Sequence, residues 1–514
     1  MTDASPAART RKGGRTARRV ARQAAPAPEQ SPISPGLQGG LYRPLSDSEV
    51  QSIHHAALEL LETVGLSGAP QSGVDLLTAK GCTYEDGRLR FPPSLVEDTL
   101  AIANRTPVLC GRDPKNDLDL SGTRVHFGTA GAAVHMVEVD GKTYRDSTLQ
   151  DLHDAARLCE ALENIHFVQR PMVARDVHDN LEMDLNTVYA CCAGTHKHIG
   201  TSFTEPHHVA PALEMLHMIA GGEDAWRDRP FVSNTNCFVV PPMRFATEAC
   251  EVMEECIRGG MPVLLLSAGM AGATAPSTIA GAIVQSVAEC LAGLVYVNAL
   301  RPGHPAVFGT WPFGLDLRTG AMTGGSGEQA LLTAGCAQMH RFYDLPGGAA
   351  AGISDSKLPD MQAGWEQMCS NVMAGLSGLN MVYEAAGMHA SLLGFCHESL
   401  ILGNDMLGQV QRCVRGIEVN DETLSVKEIA DVCLSGTGHY LGTEQTLARM
   451  QKDFVYPTLG SRSSPKEWEE KGKQELLPKA RALKEELLAK RSPARFPADL
   501  DAQLRAKFNI HLPQ

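Results

Sequence analysis

From about residue 165 onward, short apolar runs alternate with longer amphipathic stretches. The runs are His166–Arg170, His198–Phe203, Phe231–Cys237, Pro262–Ala268, Pro305–Trp311, Gly347–Ile353 and Asn380–Glu384. Helical spacing of apolar positions fills the intervals at Leu149–Leu162, Val209–Ile219, Ala246–Arg258, Thr278–Asn298, Glu328–Phe342 and Met361–Leu376. Strand and helix in regular alternation predict parallel pairing, because a parallel neighbour requires a crossover helix. About eight such units close a (β/α)8 barrel. Seven strands are legible, and residues 125–137 supply a further one. A doubly wound open sheet is the competing α/β architecture. Gly347-Gly348…Gly352 does not read G-x-G-x-x-G, which counts against it.

Other patterns place the remaining segments. Ser46-Asp47-Ser48-Glu49 has the spacing of a capping box, followed by an apolar face of Val50, Ile53, Ala57, Leu60, Leu61 and Val64. Asp86-Gly87 predicts a tight turn between Cys82–Glu85 and Arg88–Phe91. The expected layout is a basic, disordered tail over 1–40 and a helical and hairpin cap over 41–124. The barrel follows over 125–460, and a helical extension over 461–514. The apolar stretch Val263–Leu300 is broken by Pro276, Gln285, Glu289 and Asn298, so it predicts a buried strand and a packed helix in place of a membrane span.

Charge and cysteine content narrow the function classes. A formal net charge of −13 argues against a nucleic-acid partner. Fourteen cysteines, no Cys-x-x-Cys and no signal-peptide pattern predict reduced thiols in a cytoplasmic protein without a structural zinc site.

In a barrel of this kind, chemistry collects where strands end and loops begin. Those ends carry Asn234 and Asn236, which alternation puts on one strand face, together with Ser267. They also carry Trp311 and Phe313, in a chain with only 5% aromatics, and Glu384 followed by His389. Aromatic faces with nearby carboxylates suit a quaternary ammonium ion, which cannot donate a hydrogen bond. Glu289, Glu328 and Glu384 are the candidate carboxylates. His196-Lys197-His198 has the strand spacing of a metal-dependent barrel hydrolase. Such a site needs further ligands, for which only Asp355 offers itself, so no metal is expected.

The run Gly347 to Gly364 passes from apolar to polar within a few residues and centres on Ser354-Asp355. Together with Cys110-Gly111-Arg112-Asp113, Val125-His126, Glu163-Asn164-Ile165, Ala174-Arg175-Asp176, Gly260–Val263 and Gly403-Asn404-Asp405, it resembles the trimethylamine methyltransferase family over more than nine-tenths of the chain. The resemblance implies a barrel that moves a methyl group from an amine to the Co(I) of a separate corrinoid protein. It implies no tightly bound cofactor of the chain's own, and a homo-oligomer. In the family's namesakes, pyrrolysine stands two residues before this Ser-Asp; here the position is Gly352. The resemblance therefore implies a quaternary amine substrate of the glycine betaine type, with Gly352, Asp355 and Glu384 at the reacting end. A larger cavity is expected at Gly352, and Lys197 or His389 are candidates for a substrate carboxylate. A metal-dependent hydrolase and a noncatalytic quaternary-amine binder are the alternatives.

Overall fold

Eight parallel strands form the centre of the computed structural model, which describes residues 31–434 and 438–513. They are β1 (Arg124–Thr129), β2 (Phe167–Gln169), β3 (His198–Thr201), β4 (Val232–Asn236), β5 (Val263–Ser267), β6 (Ala306–Thr310), β7 (Gly348–Ala350) and β8 (Met381–Tyr383). Each pairs with the next from β1 to β6, β7 pairs with β8, and β8 returns to β1. A bridge from Phe308 to Gly347 joins β6 to β7 and completes the ring. The chain is a (β/α)8 barrel.

One helix follows each strand: α1 (Leu149–Ala161), α2 (Asn180–Gly194), α3 (Val209–Ala220), α4 (Thr247–Arg258), α5 (Ile279–Leu300), α6 (Gly327–Tyr343), α7 (Met361–Ser377) and α8 (His397–Arg415). α5 is long and apolar enough to cross a membrane by length and composition, and 78% of its apolar window is buried within the protein. It packs against the N-terminal helix Asp47–Thr63, which starts at the Ser46 capping box. The hairpin at Asp86-Gly87 is present, with both turn residues left-handed at φ 50° and 73°, as a two-residue hairpin of this twist requires.

The N-terminal end of the barrel is closed. The turn at Cys110–Asp113 lies across it: the Arg112 N–H donates to the His196 carbonyl at 2.8 Å, and His198 Nδ1 meets the Cys110 carbonyl at 2.8 Å. His126, His166 and His198 are buried, and burial depresses the pKa of each, so they are neutral rings. His126 and His198 are in phase with Gly128 and Phe167 and lie at the end of the lumen, while His166 Nδ1 accepts the Phe127 N–H at 3.0 Å.

Order begins earlier than the expected start at Leu41. Leu37–Gln38 pairs antiparallel with Val125 and Arg124, so residues 37–38 are a strand and not part of a tail. The basic residues Arg9 to Arg22 of that expected tail lie outside the described residues.

The chain divides into two compact units, and the second was expected to belong to the barrel. The first holds residues 35–414 and 457–513; within it the C-terminal helices Leu476–Ala489 and Ala498–Lys507 pack on α1 and α3. The second holds the described residues of Arg415–Tyr456 with residues 31–34, and contains the short helices Val426–Leu434 and Glu444–Arg449. Arg449 joins its parts through Glu418, Glu422 and Asp453.

Candidate active site

Alternation along each strand decides which side chains reach the lumen. Ser267 and Thr310 are paired in register and both face helices: Ser267 Oγ donates to Glu289 of α5, and Thr310 Oγ1 meets His340 of α6 at 2.6 Å. The residues out of phase with them, such as Leu264, Leu266, Val307 and Gly309, therefore point inward. Gln169, Gly200 and Ser233 share a register row on the inner face, and Thr235 Oγ1 donates to Gln169 Oε1 at 3.0 Å.

Three rings line the same space. Tyr383 lies 5.1 Å from Phe167 in an edge-on contact and 5.1 Å from Trp311 at a 43° tilt. Glycines leave the room they need. A Cβ on Gly128 would stand 2.4 Å from the Phe167 ring, and one on Gly348 would stand 2.7 Å from the Tyr383 ring. Trp311 Nε1 is buried and has no hydrogen-bond partner, and burial keeps the Tyr383 phenol protonated well above its ordinary pKa.

Glu384 follows directly on Tyr383. Its φ of 61° is left-handed, which breaks the strand alternation, while the next N–H, from Ala385, is fixed on the Gly128 carbonyl at 2.9 Å. The carboxylate lies over Gly131: a Cβ there would be 3.4 Å from Glu384 Oε1. The side chain is fully buried, Oε2 has no partner, and burial alone raises its pKa to about 8. An unpaired buried carboxylate is costly enough that it holds its proton near neutral pH until a positive charge arrives. His389 is buried as well. Neither ring nitrogen makes a hydrogen bond, and burial lowers its pKa to about 4 against smaller opposing pulls from the Ser356 backbone and Asp360.

Asp355 does not face this space as a free acid. Its Oδ1 accepts the Gly324 N–H and the Ser391 hydroxyl, each at 2.7 Å, and so ties together the loops after β6, β7 and β8. Ala390, Ser391 and Leu392 are three successive left-handed residues, at φ 51°, 52° and 80°. Each costs about 1–2 kcal/mol in that conformation. The turn is held by bonds from the Ala390 N–H to Ser356 and from the Ser391 N–H to Ser354, at 2.9 and 3.0 Å.

Several expected site residues lie elsewhere. Glu289 accepts from the Met243 N–H at 2.8 Å, from Ser267 Oγ at 2.5 Å and from Gln285 at 3.2 Å, all behind the barrel wall. Glu328 is exposed in the first turn of α6. Phe313 is buried and joins the loops after β5 and β6 through bonds with Gly269 and Ala271 at 2.8 Å. Asn234 pairs in register with Thr201 on the helix side of the wall, out of phase with Ser233 and Thr235, and its Oδ1 has no partner. The side chain of Asn236 lies outside the described residues.

Gly352 is closely packed where a larger cavity was expected. The residue is left-handed at φ 76°, its N–H donates to Ser370 Oγ at 2.9 Å, and a Cβ would be 2.6 Å from both the Ala385 carbonyl and Asn371 Nδ2. Lys197 is also unavailable. Its ammonium collects the carbonyls of Cys159, Leu162 and Ile165, and burial lowers its pKa to about 8. His196 is bonded to Glu160, and His198 is held between Cys110 and Ser233, at the entry of β3 and not its exit. Among the described residues, Glu205, His207 and His208 on the loop after β3 bring three possible metal-ligand atoms within 4.8 Å of one another.

A model of the trimethylamine methyltransferase (MTTB) family matches residues 11–510. The chain belongs to the trimethylamine methyltransferase family. It is 32% identical over 466 residues to the trimethylamine methyltransferase MttB of Desulfitobacterium hafniense, covering 90% of this chain and 92% of that protein. It is 28% identical over 467 residues to a glycine betaine methyltransferase of Desulfitobacterium hafniense strain Y51, covering 90% of this chain and 96% of that one. The crystal structure of the Methanosarcina barkeri monomethylamine methyltransferase aligns with a TM-score of 0.46 at 11% identity, over 85% of this chain and 98% of the other, a likeness too low to carry an argument.

Of the residues that sequence reasoning named, Trp311 lies against Tyr383, and Glu384 follows Tyr383 in the chain; Phe167, Gln169, Thr235 and Tyr383, which line the same lumen, were not named. A signal for two of them was present. Thr235 stands between the two asparagines and Tyr383 directly before Glu384, so choosing the other alternation phase finds both.

Proposed function

We propose that the protein transfers a methyl group from a quaternary amine of the glycine betaine type to the Co(I) of a corrinoid protein. The observation that carries this reading is Glu384: a buried carboxylate without a partner for Oε2, next in the chain to the ring that stacks on Trp311. A quaternary ammonium supplies the missing charge. It is attracted to the Trp311 and Tyr383 faces by about 0.5–2 kcal/mol each, and it asks for no hydrogen bond.

The chemistry needs little more from the chain. The methyl carbon passes to cobalt, forming a Co–C bond with the electron pair of Co(I), while the C–N bond breaks and its pair stays on nitrogen. The amine leaves neutral and tertiary, so no general acid is needed. The residues bind the cation, exclude water and align the methyl for in-line displacement. Leu317 and Leu393 are exposed in the loops after β6 and β8, and Met361 and Trp365 are exposed in the first turns of α7; together they offer apolar surface for a corrinoid partner. A barrel hydrolase using His196 and His198 is less well supported, because those rings are committed to protein groups at the closed end.

The test is methylation of Co(I)-cobalamin, read by absorbance, with trimethylamine and a set of betaines. Methyl-cobalamin from one betaine and not from trimethylamine is the expected result. Thermal stabilisation by a betaine without methyl transfer, even with corrinoid partner present, would leave a binder and sink the reading.

A further inference from the structure

The loop after β3 gathers three side chains that the methyl-transfer reading does not use. Its turn reads Glu205-Pro206-His207-His208. Pro206 opens a single 3-10 turn, in which the His208 N–H donates to the Glu205 carbonyl at 3.1 Å. Side chains three apart eclipse in such a turn, so Glu205 and His208 share a side and His207 stands beside them. Glu205 Oε2 and His207 Nδ1 are 3.4 Å apart, and the His207 and His208 rings meet edge-on with centres 4.4 Å apart. One ligand atom from each of the three lies within 4.8 Å of the other two.

His208 is held as a ligand would be. It is buried, and both hydrogen bonds of its ring engage Nδ1, with Asp184 Oδ2 of α2 at 2.7 Å and the Thr204 hydroxyl at 3.1 Å. The same Asp184 oxygen accepts the Thr204 N–H at 2.8 Å and its hydroxyl at 2.9 Å, so the carboxylate is itself fixed. An imidazole that gives Nδ1–H to a fixed carboxylate presents Nε2 as an acceptor, which is the outer-shell arrangement of metal-binding histidines. Glu205 and His207 are exposed, and among the described residues Glu205 has only His207 as a side-chain partner. Both can turn to a ligand without breaking a buried contact. Two imidazoles and one carboxylate, with water in the open position, suit a borderline ion such as zinc; calcium and magnesium call for oxygen donors alone.

We propose that Glu205, His207 and His208 form a divalent transition-metal site of the zinc type, with Asp184 as the positioning residue behind His208. The turn packs against α2 and α4, so a bound ion ties the loop after β3 to the helices around it. The site stands apart from the methyl-transfer reading and does not depend on it.

The test is a titration of the full-length, chelator-treated protein with zinc alone, by calorimetry and by competition with a chromophoric chelator, repeated with Co(II). One equivalent should bind with a Kd of micromolar order or tighter. Co(II) should give the visible bands of a four- or five-coordinate ion without the near-ultraviolet band of thiolate ligation. That band would transfer the ion to the exposed thiols Cys237, Cys369, Cys413 or Cys433 and overturn the proposal. The double variant Glu205→Ala, His207→Ala alters only exposed side chains, and should weaken the site at least about 100-fold with the circular dichroism unchanged. Asp184→Asn should weaken it about 10–100-fold, and an unchanged zinc affinity there would overturn the positioning role. No stoichiometric binding by the native chain, or an equivalent that survives the double variant, would overturn the site itself.

Discussion

Two buried glutamates sit near strand ends of this barrel and illustrate opposite uses of the same side chain. Behind β5, Glu289 is surrounded by the donors Met243 N–H, Ser267 Oγ and Gln285 Nε2. At the end of β8, Glu384 has no partner for Oε2, and the backbone conformation that places it is strained. Burial raises the pKa of both, but at Glu289 three hydrogen bonds pull the other way, and at Glu384 nothing does. A buried carboxylate with all its donors stabilises the fold around it. One without them destabilises the resting protein and is kept for something that comes from outside.

The strongest way to break that comparison is Glu384→Gln. Removing the carboxylate proposed to meet a bound cation should lower kcat/KM by at least about 100-fold in the Co(I)-cobalamin assay, while the protein stays as stable as before or becomes more so. The pH dependence follows from the sign of the shift. A carboxyl whose folded pKa is raised contributes stability below its unfolded value and loses it as pH rises toward about 8. The stability advantage of Glu384→Gln should therefore grow between about pH 4.5 and 8. Betaine affinity of the native protein should rise over the upper part of that range and level off above it, because the carboxyl must lose its proton to meet the cation. Titration calorimetry in buffers of different ionisation enthalpy should register the released proton, and an affinity independent of pH would sink the assignment.

Glu289→Ala should give the opposite pattern. Leaving the Met243 N–H and the Ser267 hydroxyl unpaired should cost about 2–4 kcal/mol in urea unfolding, with activity per folded molecule within roughly threefold of native. The smallest effect sharpens the aromatic side of the site. Trp311→Leu keeps an apolar filler but removes a ring face, and should raise KM for a betaine roughly 3–30-fold with little change in kcat.

The barrel was legible because its strands are short apolar runs at regular intervals, each separated by a helix with one apolar stripe. The helices that escaped had weaker signals. α2 is buried around most of its surface, so Asn186, Tyr189, Cys191 and Cys192 are all inside and no single stripe stands out. The site was less legible because position at a strand end does not say which way a side chain points. Asn234 and Ser267 meet the positional criterion and face the helices, while Thr235 and Tyr383, one residue away from named candidates, face the lumen. Gly352 shows a related limit. A missing side chain suggests space, but here the left-handed backbone is pressed against Ala385, and the absence of a Cβ permits contact and not a cavity.

The turn at Cys110–Asp113 has a kinetic consequence. With the entry ends of the strands covered by that turn and by the neutral rings of His126 and His198, the lumen is approached from the strand exits. Whatever enters must leave by the way it came, and a partner seated on the rim occupies that way. If the rim is where the corrinoid partner docks, as proposed, amine binding would precede docking and the demethylated amine would wait for the partner to depart. Turnover is thereby ordered, and a partner that binds too tightly would act as an inhibitor of its own reaction.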